Sequence, residues 1–537
     1  MAASRTGGHS DFSQYLRIAP TFRMRAVRSS VIVLLSVTAA AMTCGCAVGP
    51  RWHAPQAPAN AGYAPLPLPE TSASAPVHGG EAQHLIAGRD IPFEWWELFQ
   101  SAALNSLIEK AFEANPSTAA AQAALRQAQE LVHAQQGFFY PSVATTFQAE
   151  RHKVSGNTNS SSTIGVQGNG VNLLPALEDP HHEPHNLPSY YTFYTAQLTV
   201  GFVPDVLGWN RRQVESLAAQ KDAQRFALEA TYVTLASNVV AAAIQEASVR
   251  AQIQATQDII AADQKALGIL RDQFRLGCAM RIDVAAQEAA LAQIETTLPP
   301  LQKQLEQTRD LIRALAGDLP NGPDETFELD ALQLPPELPV TLPFKLIEQR
   351  PDVRAAEAQL HAANAQVGVA VAAMLPQFSI SGEYGGNATQ ITQMFSAGGP
   401  FWSLYGSVSQ PVFQGGTLLH QERAAQQALK QAAAQYQNTV VTAYQNVADT
   451  LHVSLSDADT LSLDVEAEAS AKVTYDLTRR QAEFGYVDTL TLLSAETAYQ
   501  QTRLTRVQAQ ATRYGDTISL FEALGGGWWN RQEVAAK

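Results

Sequence analysis

The sequence predicts a mixed, mostly α-helical protein written as two similar halves, each supplying a pair of β-strands too few to close a barrel alone. Three observations predict it. Landmarks of the first half return in the second at a nearly constant offset. Each half holds a stretch of about seventy residues without proline. Each half also places two alternating, aromatic-bearing segments ahead of that stretch.

The chain opens on targeting signals. Val31 to Met42 is an apolar run preceded by Arg25 and Arg28. It is short for a bilayer span and suits the apolar region of a signal peptide. The basic region reads most naturally from Met24, which leaves residues 1–23 as an upstream extension or as part of a long basic region. The run is followed by Gly45 and Cys46, which resemble a bacterial lipobox, although Thr43 stands where leucine is usual. On this reading residues 1–45 are removed, Cys44 goes with them, and Cys46 becomes an acylated first residue that holds the protein to a membrane. Ordinary cleavage that leaves Cys46 a free thiol is the other reading. No later run of 18 apolar residues occurs, so any membrane-spanning part must be a closed β-barrel. The net charge of −14, with no lysine or arginine cluster, argues against a nucleic-acid partner. Three cysteines make no disulfide framework.

The repeat is then legible element by element. Asn115-Pro116 is followed 25 residues on by Pro141, and Arg350-Pro351 is followed 25 residues on by Pro376. Both intervals are rich in Ala and Gln with helical periodicity, and each second proline opens an alternating segment, SVATTFQAE and QFSISGEYG. Pro204 and Gly208 return as Pro411 and Gly415, both 207 residues on. Gly277 returns as Gly485 and Gly317 as Gly526, at offsets of 208 and 209. Each half therefore reads helix, strand, strand, very long helix, glycine turn, helix.

The long helices run from Trp209 to Leu276, with Gly268 inside, and from Thr417 to Phe484. One internal glycine costs only about 1 kcal/mol and need not end a helix. At about 1.5 Å per residue each spans on the order of 100 Å, which suggests a coiled coil or a helical barrel rather than a globular core. Leu228, Tyr232, Leu235, Val239 and Ala242, and Val440, Tyr444, Val447 and Leu451, mark the buried stripes. Pro299-Pro300 should kink the return helix of the first half. The strand segments YYTFYTAQLTVGFVPD and FWSLYGSVSQPVF carry aromatics at one end, as the girdles of outer-membrane barrels do. About four strands per chain cannot close such a barrel, so the chain must oligomerise.

Five motifs, in order and at matching spacing, resemble the TolC-type outer membrane factors and, within them, the NodT-type efflux channel lipoproteins. Cys46-Ala47-Val48-Gly49-Pro50 resembles the lipidated start of that group, and Trp95-Trp96-Glu97-Leu98-Phe99 its WW-x-x-F motif. Arg350-Pro351-Asp352-Val353 resembles its RRPDV, with Gln349 in place of the first arginine. Pro411 to Gly416 resembles PiFxgG, and Ala523 to Trp528 resembles ALGGGW. The resemblance covers Cys46 to about Asn530.

It implies a homotrimer with a 12-stranded outer-membrane β-barrel continued by a 12-helix periplasmic α-barrel. It divides the mature chain into an N-terminal equatorial segment (46–102), a first repeat (103–317), an equatorial linker (318–345), a second repeat (346–525) and a tail (526–537). It implies passive efflux of small molecules, with a periplasmic adaptor and an RND- or MFS-type inner-membrane pump as partners and no cofactor. The outer-membrane exit of a type I protein secretion system is the alternative in the same fold. A periplasmic coiled-coil scaffold would explain the long helices but not the strands or the repeat, and nothing in the sequence argues for a hydrolase or any other enzyme.

In this family the helix-turn-helix tips close the periplasmic end, and here they centre on Gly277 and Gly485. Asp283, six residues past Gly277, matches the family's acidic gate position. It reads equally as a helix N-terminal residue favoured by the dipole. Thr491 and Ser494 stand where the second tip commonly carries carboxylates, so Arg281 and Asp488 are the further gate candidates. Leu276, Gly277, Gly485 and Tyr486 resemble the groove where adaptor hairpins dock. Cys278 reads as a small filling residue. The 28 extra residues between the strands of the first half include His181, His182 and His185, but their spacing supports a solvated loop rather than a metal site.

Overall fold

The computed structural model describes residues 47–56, 62–65, 69–153 and 190–531. The signal peptide, Cys44, Cys46 and the histidines of the long loop lie outside them. The described chain divides into two compact units. One takes in Phe139–Trp209 and Leu375–Gln410, the other Gly49–Phe138, Asn210–Met374 and the chain from Pro411 onward.

A small parallel pair joins β1 (His84–Ala87) to β4 (Glu337–Val340), in the second unit. The first unit is an antiparallel sheet of β2 (Ser142–Lys153), β3 (Tyr190–Phe202), β5 (Gln377–Ala388) and β6 (Pro400–Ser409), in the order β2-β3-β5-β6. Val143 pairs with Val200, Leu198 with Tyr384 and Tyr384 with Trp402. Directly paired residues share a face and alternate residues share it again. One face therefore collects Val143, Phe147, Leu198, Val200, Ile380, Tyr384, Trp402, Leu404 and Val408, all exposed. The opposite face is mostly polar, with Thr146, Gln148, Gln197, Thr199, Ser379, Ser381, Glu383, Ser403 and Ser407, and also carries Phe193, Phe401 and Tyr405. The alternation predicted from the sequence thus produces a sheet whose apolar face is largely exposed among the described residues, with Met394 lying against Gly386 at one end.

The second unit is helical. Asn115 separates α1 (Ala102–Ala114) from α2 (Pro116–Gln136); its side chain accepts from the Ser117 amide at 2.8 Å and donates to the Leu315 carbonyl at 2.8 Å. The two long helices are α3 (Trp209–Arg275) and α8 (Thr417–Glu483), 67 residues each, and Gly268 does not interrupt the first. Their predicted stripes are buried at Leu228, Leu235, Val239, Ala242, Val440, Val447 and Leu451. By composition one stretch of α3 is apolar enough to cross a membrane, but 61% of it is buried within the fold, where other helices cover it.

The return helix of the first half is broken rather than kinked. It splits into α4 (Arg281–Glu295) and α5 (Leu298–Leu315), and Pro299 and Pro300 sit in the first turn of α5, where a missing N–H costs nothing. The second half runs through α6 (Pro343–Gln349) and α7 (Pro351–Ala373) before its strands, then α8 and an unbroken return helix, α9 (Thr489–Ala523).

Three distant sequence motifs meet at the end of α9. Trp95, fully buried, stacks on Phe521 with ring centroids 5.2 Å apart. Arg350 donates to the Ala523 carbonyl at 2.7 Å, and Trp528 donates through Nε1 to the Gln349 carbonyl at 2.6 Å. Gly526 holds a positive φ of 66°, and a Cβ there would lie 2.7 Å from the Val233 side chain, so only glycine lets the chain turn this close to α3. Burial of Trp95, Phe99, Leu104, Ile108 and Phe521, at about 1.5–3 kcal/mol for each large side chain, joins this point to one core with the middle of both long helices, at Val240 and Ala243 of α3 and Val447 and Leu451 of α8.

Candidate gate and docking tips

Each long helix ends in the same hydrogen-bonded turn. At the first tip the Cys278 amide donates to the Gln273 carbonyl at 2.8 Å and the Gly277 amide to Phe274 at 3.0 Å. At the second the Tyr486 amide donates to Gln481 at 2.9 Å and the Gly485 amide to Ala482 at 3.0 Å. Both are Schellman closures, which need a left-handed residue, and Gly277 and Gly485 supply it with φ of 76° and 77°. The two-fold repeat thus extends to individual hydrogen bonds.

The aspartates that follow cap the return helices. The Asp283 carboxylate accepts the Met280 amide at 3.0 Å, and the Asp488 carboxylate accepts the Thr491 amide at 2.8 Å. Hydrogen bonds from Thr491 hold Asp488 below the usual carboxylate range. Arg281 faces Glu288 at 3.7 Å, and Arg271 donates to the same carboxylate at 2.8 Å. That hydrogen bond from Arg271 lowers Glu288. The helix-capping reading of Asp283 therefore describes what its carboxylate does in the single chain, and Asp488 does the same at the other tip.

The turns also project apolar side chains. Leu276, Met280 and Ile282 stand out from the first tip, and Phe484, Tyr486 and Leu490 from the second. Leu276 is 79% and Tyr486 80% exposed; clusters of this kind mark interaction surfaces. Cys278 is an exposed thiol rather than the filling residue expected from the sequence, because the turn leaves nothing beside it to fill.

Sequence reasoning missed a buried acidic pair behind the tips. Asp263 on α3 and Glu496 on α9 are 1% and 7% exposed. The signal was present: Asp263 interrupts the buried stripe Ile259, Leu267, Leu270 at four- and three-residue steps. Nothing in the sequence says that α9 faces it. Among the described residues, no group of three or more His, Cys, Asp or Glu side chains could hold a metal ion.

The chain matches the outer membrane efflux protein family over residues 107–318 and 342–526. It belongs to that family. Both halves of the repeat fall inside the match, so the duplicated helix-strand-strand-helix plan is the plan of an outer membrane efflux protein. The chain is 26% identical to the pyoverdine export outer membrane protein OpmQ of Pseudomonas putida, over 86% of this chain and 94% of that one. It is 28% identical to the cation efflux system protein CusC of Escherichia coli, over 63% of this chain and 73% of that one. Its fold matches the crystal structure of the Campylobacter jejuni CmeC outer membrane channel with a TM-score of 0.76, at 18% identity, over 91% of this chain and 96% of that one.

Proposed function

We propose that this chain is the outer-membrane duct of a tripartite efflux system, assembled as a homotrimer and anchored by acylated Cys46. The observation that carries this reading is the two-faced sheet. Its apolar face is largely uncovered, its opposite face is mostly polar, and its outermost strands β2 and β6 have no partner on their outer edges within the described chain. Lipid tolerates no open edge. Three copies supply twelve strands, enough to close a membrane barrel with lipid outside and water within.

Solutes pass passively, and the tips regulate passage. Leu276, Gly277, Gly485 and Tyr486 form the surface for the hairpin of a periplasmic adaptor, which links the duct to an RND- or MFS-type pump. Asp283, Arg281 and Asp488 are the polar residues of the closed tip. The names of relatives span pyoverdine export, antibiotic efflux, toluene efflux and cation efflux, which supports small molecules as cargo.

The test combines the intact mass of the N-terminal peptide, the mass of the detergent-solubilised oligomer, and conductance in planar bilayers. An acylated Cys46, a trimer, and a conductance that rises when the tips are loosened are expected. A soluble, unacylated monomer would overturn the reading.

A further inference from the structure

Asp263 and Glu496 lie within hydrogen-bonding reach of each other, between the hairpin of α3 and α4 and the hairpin of α8 and α9. Every helix of the two hairpins meets there. From α4, Gln287, 3% exposed and uncharged, donates to the Asp263 carboxylate at 3.3 Å; its neighbour Glu288 is engaged by Arg271. From α8, Tyr475 and the positive charge of Arg479 lie near Glu496 and oppose its rise. The Arg479 guanidinium lies over the Tyr475 ring at 5.8 Å and reaches Glu483 at 4.0 Å. From α9, Tyr499 stacks on Tyr475 with centroids 5.8 Å apart.

Two ionised carboxylates buried this close repel each other strongly, whereas a proton shared between them converts the repulsion into a hydrogen bond. Burial, and then the neighbouring Asp263, push Glu496 up to about 7; burial also raises Asp263.

We propose that Asp263 and Glu496 share one proton and form a clasp between the two tip hairpins, and that loss of this proton lets the hairpins part. This rests on the channel reading above, because parting hairpins open a passage only in a duct. The sign follows from the raised Glu496: its contribution to stability is complete below about 4.5, the ordinary value, and is lost as pH rises through about 7. The closed tip is therefore the acid form.

The test uses the full, acylated oligomer, with spin labels on Cys278 and on cysteine at Tyr486→Cys, and compares pH 5.5 with pH 8.5. The inter-hairpin distance should be short and narrow at the lower pH and longer at the higher. A protonated-carboxyl infrared band should vanish with a midpoint near 7. Glu496→Gln, which cannot ionise but still donates to Asp263, should keep the short distance at both values and lose the band; Asp263→Asn provides the same comparison from the other side. Conductance of the unlabelled protein should rise by more than tenfold across this range, because one pKa unit of linkage is tenfold and about 1.5 units lie between pH 5.5 and the raised value of about 7, and should stay flat in Glu496→Gln. A distance independent of pH, or a Glu496→Gln variant that moves as the parent does, overturns the clasp. Hairpins that part with pH while no current flows uphold the clasp and overturn the channel reading instead.

Discussion

Arg350 donates through Nη1 to the carbonyl oxygen of Ala523, at 2.7 Å, and so binds the start of α7 to the last residue of α9. Ala523 lies at a helix C-terminus, where carbonyls lack helical partners and the dipole favours a cation. Arg350 answers both needs while its Nε and Nη2 hold Asp352. Asp352 is half exposed, so that ion pair contributes at most about 1 kcal/mol. Arg350→Met leaves a buried carbonyl unpaired and should cost about 1–3 kcal/mol. Arg350→Lys keeps one donor and should cost less. Chemical unfolding of the two variants in detergent checks the order; equal losses would mean that packing of the stem, not the hydrogen bond, matters.

The tip glycines make a cleaner test of backbone conformation. Nothing lies within 4 Å of a Cβ built on Gly277 or Gly485. Alanine there meets no steric clash and pays only for the left-handed φ, about 1–2 kcal/mol. The cost should appear locally, as faster hydrogen exchange at the Cys278 and Tyr486 amides, with little change in the global melting temperature. Asparagine, which tolerates this conformation better, should restore much of the protection.

The long helices were legible because Trp209 to Leu276 and Thr417 to Phe484 contain no proline, and their stripes at Leu235 and Val447 repeat at helical spacing. The strands were legible because Pro141 and Pro376 precede clear alternation. What escaped was pairing at long range. The four residues from His84 to Ala87 carry no pattern that selects Glu337 to Val340 as a parallel partner. Periodicity reports which side of a helix is buried, not which helix buries it, so the meeting of Asp263 with Glu496 was hidden. The capping by Asp283 was legible, since an acidic residue in a first turn has a local reason to be there.

Asp283 also permits a separation of charge from capping. Asp283→Asn keeps an oxygen acceptor for the Met280 amide and removes the charge. Asp283→Ala removes both, at about 1 kcal/mol for the lost cap. If the gate reading holds, both variants should lower the preference for cations in reversal-potential measurements, and only alanine should fray the start of α4. Unchanged ion selectivity in both would leave Asp283 a cap alone.

Leu276 and Tyr486 bear on the partner. Both are about four-fifths exposed and contribute nothing to the core. Leu276→Asp and Tyr486→Asp should therefore leave melting temperature and oligomer mass unchanged. Each should weaken binding of the periplasmic adaptor at least tenfold, or about 1.4 kcal/mol, because each places a charge in an apolar contact. Adaptor pull-down with full retention by both variants would move the docking surface away from the tips.

A second buried carboxyl on α9 gives a pH prediction independent of the tips. Asp516 is 8% exposed. Burial first, and then Asp457 on α8, push it up to about 7, against a lowering by Arg513. In the unfolded chain it returns to about 3.8. Its contribution to stability is complete below about 3.8 and is lost as pH rises through about 7. The melting temperature should fall from pH 4 to pH 8, and Asp516→Asn should flatten part of that fall, with a gain at pH 8 on the order of 3 kcal/mol. Glu496 loses its contribution over an overlapping range, so the parent carries both slopes. The two groups sit twenty residues apart on one helix, on the order of 30 Å. At that distance their effects should add. The double variant Glu496→Gln/Asp516→Asn should therefore flatten the profile by the sum of the single effects, and a smaller sum would mean that α9 transmits one titration to the other.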